Sequence, residues 1–128
     1  MNRRPLTHNY MKIEISEAIE RELLSWPGVS AGSHRFGGRE FRVGNREIGH
    51  LHGGEVADLP FTRPIREELV SRGEVYPHHH LPNSGWVSFY LKNEKDVPAA
   101  LALFRRNYER LRDLNAKPST EHEHETNH

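Results

Sequence analysis

Two groups of imidazoles set the chemical possibilities of this chain. The run Arg46-Glu47-Ile48-Gly49-His50-Leu51-His52-Gly53-Gly54 places His50 and His52 two positions apart, and His78-His79-His80 follows between Pro77 and Pro82. Side chains two apart on a strand point the same way, so a strand here would present both imidazoles on one face, together with Ile48. Glu47 and Leu51 would then take the opposite face, where an ion pair of Glu47 with Arg46 or Arg42 is the natural expectation. Imidazole is a common metal ligand, and a His-x-His strand can offer two nitrogens to one ion. With His78 or His79 as third ligand, His50 and His52 would form a three-histidine site with an open position, the pattern of a catalytic metal. Without an ion the same side chains can act as general bases. The plainer alternative is a pair of half-buried histidines bonded to backbone.

The elements that would carry these groups are legible from periodicity and turn chemistry. Ile15, Ala18, Ile19, Leu23 and Trp26 recur at helical spacing from Ile13 onward, and Pro27-Gly28 stops that helix. Extended pieces are expected at 33–36, 39–43 and 46–52, separated by Gly37-Gly38 and by the hairpin pair Gly44-Asn45, with 56–59 extending the meander. A short helix over 63–72 begins at the cap Thr62 with Pro64 in its first turn and ends at Gly73. The strand at 85–92 alternates Val87, Phe89 and Leu91 with Trp86, Ser88 and Tyr90. Asn93 and Asp96 cap a last helix striped by Val97, Ala100, Leu101, Phe104, Tyr108 and Leu111. The expected class is α+β, an antiparallel sheet covered by helices mainly on one face, in the order α-β-β-β-(β)-α-β-α. Residues 1–12 read as a flexible lead-in, 13–114 as one domain and 115–128 as a disordered tail rich in His and Glu.

Composition narrows the function classes. Eighteen basic side chains balance eighteen acidic ones, which argues against a nucleic-acid partner attracted by a global field. A local patch of Arg35, Arg39, Arg42 and Arg46 keeps a non-catalytic binding module open as the alternative. The absence of cysteine excludes disulfides, thiolate ligands and a cysteine nucleophile. No apolar run reaches the roughly 18–20 residues that span a bilayer. The opening Met1-Asn2-Arg3-Arg4-Pro5 is followed by no apolar signal core, so a cytoplasmic protein is expected. Glycine-rich phosphate loops and a Gly-x-Ser-x-Gly elbow are absent.

Several of these stretches together resemble the luciferase-domain family of small bacterial proteins. They are Trp26-Pro27-Gly28-Val29, His34-Arg35-Phe36-Gly37-Gly38-Arg39-Glu40-Phe41, the histidine strand, and Asp58-Leu59-Pro60-Phe61. Later come Pro77-His78-His79, Pro82-Asn83-Ser84-Gly85-Trp86-Val87-Ser88-Phe89 and Arg106-Asn107-Tyr108-Glu109-Arg110. The label implies kinship with the fungal luciferases, which oxidise 3-hydroxyhispidin with molecular oxygen and emit light. Those enzymes carry an N-terminal membrane-anchoring region and a histidine near the position of Glu55. A more remote, fold-level similarity is to the small YjbR-like proteins, a family regarded as DNA-binding.

The resemblance implies a small-molecule-binding protein or an oxygenase-like enzyme acting on a planar enolic or phenolic compound. Molecular oxygen would be the co-substrate, no organic cofactor would be obligatory, and a divalent metal stays open. His50 or His52 would remove a proton and His78 would hold the developing oxyanion. Glu55, His79, Trp86 and Tyr90 are the expected substrate contacts. Shared fold carries no shared activity, so the site itself must decide.

Overall fold

The computed structural model describes residues 8–34 and 37–116, the first three of them by backbone alone. Helix α1 (His8–Leu24) leads into strands β1 (Val29–Ser33), β2 (Arg39–Val43), β3 (Arg46–His52) and β4 (Val56–Pro60). Helix α2 (Arg63–Ser71), strand β5 (Tyr76–Pro77) and strand β6 (Trp86–Tyr90) follow, and a single 3-10 turn (Glu94–Asp96) feeds helix α3 (Val97–Ala116). The six strands form one antiparallel sheet in the order β1-β2-β3-β4-β6-β5. The fold is α+β, as the pattern of elements predicts.

One face of the sheet is dry. Phe41, Ile48, Leu51, Ala57, Leu59 and Val87 present it, and Ile19, Leu23, Phe104 and Tyr108 from α1 and α3 cover it. Removing each such large side chain from water contributes roughly 1.5–3 kcal/mol, so this layer supplies most of the driving force for folding. Gly49 lies under α3, where a Cβ would stand 2.8 Å from the Asp58 carbonyl oxygen and 2.9 Å from the Phe104 ring. Only glycine permits that approach.

Several boundaries differ from the sequence reading, each for a tertiary reason. Strand β1 runs four residues earlier than expected, because the loop to β2 closes through His34 N to Gly38 O and Gly37 N to His34 O rather than at the diglycine alone. Helix α1 begins at His8, not Ile13, and the Lys12 side chain at its start pairs with Glu55. Strand β5 is only two residues long and exists by pairing with β6. Helix α3 continues to Ala116, and the rest of the expected tail lies outside the described residues. The Thr62 cap is as expected, its hydroxyl accepting from Ile65 N at 3.3 Å.

The most consequential departure is in β3. Phe41 pairs with Gly49 but Arg42 pairs with Glu47, so the register skips Ile48. This bulge adds one residue and reverses the alternation on either side of it. Ile48 turns into the core, fully buried, instead of sharing a face with His50. Glu47 comes round to the histidine side, where it meets His50 rather than Arg46 or Arg42. The skipped carbonyl is taken by the buried Asn107 of α3, whose Nδ2 donates to Ile48 O at 2.8 Å and reaches Pro60 O at 3.4 Å. Arg110 completes the clamp, donating to Asn107 Oδ1 at 2.9 Å and to Pro60 O at 3.0 Å.

Replacing Asn107 with alanine leaves buried carbonyl oxygens without this donor. We expect a loss of roughly 1–3 kcal/mol in urea unfolding. A variant as stable as the parent would show that the bulge needs no clamp.

Candidate functional site

The face of the sheet away from the helices carries a polar row. Strand register places Glu40 opposite His50, His50 opposite Asp58, Asp58 opposite Ser88, and Ser88 opposite Tyr76. Cross-strand partners lie on the same face, so the row crosses β2, β3, β4, β6 and β5 in sequence. Two residues along, on the same face, His52 stands opposite Val56 and Val56 opposite Tyr90.

The loop after β5 folds over this row and brings the second histidine group with it. His78 N bonds to Trp86 O at 3.2 Å, Leu81 N to His78 O at 3.0 Å, and Ser84 N to Leu81 O at 3.1 Å. Arg66 of α2 holds the loop's far side through Pro82 O. The result is a cleft of about 860 Å³ lined by both histidine groups, with Trp86 and Tyr90 among its walls.

Asp58 is the centre of the cluster, although sequence reasoning did not single it out. It is 4 % exposed. Its Oδ1 accepts from Ser88 Oγ at 2.6 Å. Its Oδ2 faces three imidazole nitrogens, with His50 Nε2 and His52 Nε2 each at 3.3 Å and His78 Nε2 at 3.6 Å. The signal that could have found it is an acidic residue inside the otherwise apolar run Val56-Ala57-Asp58-Leu59, since a buried carboxylate is seldom left unpartnered.

His50 lies between two carboxylates, with Glu47 Oε2 2.7 Å from Nδ1 and Asp58 Oδ2 at Nε2. Burial pulls its pKa down, but hydrogen bonding to Asp58 and Glu47 and their charges outweigh that and raise it to about 9. Burial pushes the Asp58 carboxyl upward, yet hydrogen bonds from His50 and Ser88 and the nearby His78 and His50 charges hold it below its ordinary range. His78 moves the other way: burial lowers its pKa, Asp58 opposes this, and the neighbouring histidines add to the lowering. Its Nδ1 accepts from His80 N at 3.2 Å, which leaves the ring proton of the neutral form on Nε2, facing Asp58.

The other expected site residues are divided. Trp86 stands beside both groups, its ring centroid 5.5 Å from that of His50 and 6.1 Å from that of His78. Tyr90 lies at the rim, edge-on to Tyr76. His79 stacks parallel on His78 at 5.3 Å and lines the cleft with His80. Glu55 is not with them: it is paired with Lys12 and lines clefts on the α1 side. His34, at the end of β1, joins unannounced, stacked 4.1 Å over His50.

Two of the patch's arginines are paired with carboxylates. Arg39 binds Glu20 through two bonds of 3.1 and 2.9 Å, Arg42 pairs with Glu40, and Arg46 reaches Asn115. Arg35 lies outside the described residues. Among the described residues no helix is long and apolar enough to cross a membrane.

With this geometry in place, comparison with known families gives a match. Residues 45–107, from the start of β3 into α3, match the family model described as Luciferase domain. This match supports a luciferase-domain family for the chain. No curated protein matches it.

The His50 environment has a consequence for stability in the ion-free protein. A folded pKa near 9, against roughly 6.5 unfolded, stabilises fully below about pH 6.5 and is lost as pH rises through 9. The lowered Asp58 carboxyl contributes in the opposite sense, being lost as pH falls through its folded pKa. In chelator-treated protein we expect unfolding free energy to fall by on the order of 3 kcal/mol between pH 6 and 9.5. His50→Gln should flatten that dependence, and an equal slope in both proteins would remove His50 as its cause.

Proposed function

We propose that the cleft binds a planar enolic or phenolic compound and activates it for reaction with molecular oxygen. The observation that carries this reading is the convergence of His50, His52 and His78 on Asp58 beneath an aromatic wall. Drug-sized ligands are typically held in clefts of roughly 300–1,000 Å³ with an apolar wall and a few convergent polar groups, and this cleft has that form. The family match supports the reading, since the fungal luciferases the chain resembles act on a hydroxylated pyrone.

The ligand's ring would lie against Trp86 and its acidic hydroxyl would point to the histidines. Both ring nitrogens of His50 face carboxylates, whereas only Nε2 of His52 does. Asp58 would hold the His52 proton on Nε2, leaving Nδ1 to accept the ligand's proton. The Nε2–H of His78 would donate to the oxyanion that results. An electron-rich anion of this kind is the species that reacts with oxygen without an organic cofactor.

The test is a titration of hydroxypyrones and other planar enols and phenols, followed by tryptophan quenching and by oxygen uptake. Trp86→Ala should weaken binding roughly 10-fold, as expected for loss of one aromatic stacking contact. His52→Gln should abolish oxygen uptake while changing the melting temperature little. If no compound of the class binds, or if His52→Gln simply unfolds the protein, the reading fails.

A further inference from the structure

We infer that His50 Nε2, His52 Nε2 and Asp58 Oδ2 form a binding site for a divalent first-row transition-metal ion. His50, His52 and Asp58 each offer one ligand atom, and these atoms lie within 4.8 Å of one another. Both nitrogens stand 3.3 Å from the same carboxylate oxygen. A charge-assisted hydrogen bond between such groups is about 2.7–2.9 Å long, and the Glu47–His50 contact at 2.7 Å has that length. Separations of 3.3 Å instead match the edge of a tetrahedron whose metal–ligand bonds are about 2.0–2.1 Å, which is roughly 3.3–3.4 Å.

The outer groups are arranged as such a site requires. A metal-bound histidine ordinarily gives its other ring N–H to a carboxylate, and Glu47 occupies that position on His50. A metal-bound carboxylate is itself held by a hydrogen bond, and Ser88 Oγ supplies one to the remaining oxygen of Asp58 at 2.6 Å. The alternative grouping of His34, Glu47 and His50 uses that Glu47–His50 pair, whose spacing is a hydrogen bond and not a ligand edge. Two histidines and one carboxylate with one open position is the donor set of catalytic zinc sites, and related divalent first-row ions can share it. All three residues line the cleft, and His78 lies beside them with its Nε2 3.6 Å from Asp58 Oδ2.

This goes beyond the function proposed above and changes one step of it. The ion would replace the proton between His50 and Asp58 and would make a bound hydroxyl more acidic, so that its proton leaves to solvent water and not to His52. The ion is titrated with no organic ligand present, so its binding is decided whether or not the cleft takes a planar enol.

Cobalt(II) is the probe, added to chelator-treated full-length protein and followed by its visible bands. One equivalent should bind with the intense absorption of four-coordinate cobalt. Affinity should fall at least about 100-fold in Asp58→Asn and His52→Gln, and roughly 10–100-fold in Glu47→Gln. His52 is half-exposed, so His52→Gln keeps the test decisive should the buried Asp58→Asn fail to fold. The paired variants His79→Ala/His80→Ala and His122→Ala/His124→Ala should bind as the parent does. Binding that survives His52→Gln, or that vanishes with either pair, overturns the site in favour of surface histidines.

Discussion

One extra residue in β3 decides which side chains of this protein can meet. The register skips Ile48, and the shift sends an isoleucine into the core while bringing a glutamate beside His50. A bulge is costly where a backbone carbonyl loses its ladder partner, and it persists only if another donor replaces it. Asn107 is that donor, fully buried and reaching two strands from one helix. The neighbouring residues do similar work: Arg106 forms a two-pronged pair with Glu68 of α2, and Tyr108 donates to Pro27 O at 2.6 Å. The stretch from Arg106 to Arg110 thus anchors α3 to α2, to the turn after α1 and to the two strands that carry the cluster. Its function is to place the site from behind, without touching it.

The two faces of the sheet divide the energetic work. The helix side buries apolar area and stabilises the fold. The cleft side holds a buried carboxylate against imidazoles, an arrangement that rarely adds stability over well-packed apolar side chains in its place, because desolvation offsets much of the electrostatic gain. Removing one partner would leave a buried charge and cost more than the pair contributes. Perturbed titratable groups gathered in a cleft mark this row as a candidate functional site. The register ties the carboxylate to its partners directly, since His50, Asp58 and Ser88 are consecutive in one cross-strand row.

Much of this was legible in the residues. Strands β2 and β3 begin and end where alternation and the Gly44-Asn45 turn place them, and Thr62 caps α2 as its type suggests. The convergence of His50, His52 and His78 follows from a His-x-His strand and a proline-bounded loop. Periodicity could not reveal the bulge, because a single skipped residue leaves local composition unchanged and is set by a helix 59 residues away in sequence. It therefore assigned Glu47 to the wrong face. Asp58 was hidden for a related reason: its strand reads as apolar, and its importance comes from neighbours on β3 and β6. The first turns of α1 carry no apolar stripe, and they are held by contacts near Gly54 and Glu55 that no local pattern announces.

Glu55 marks where this chain departs from the fungal pattern, which has a histidine near that position. Here the side chain turns toward Lys12 and is 55 % exposed. The departure thus falls on the contact between α1 and the turn after β3, not on the polar row. Glu47, His50, Asp58, Ser88 and His78 are joined by their own hydrogen bonds and ion pairs. A difference at that turn alters how α1 packs and how the rim is charged, and it leaves the donor set of the cleft intact. Tyr90 and Trp86 form the rim and wall of the cleft, laid over a centre fixed by sheet register.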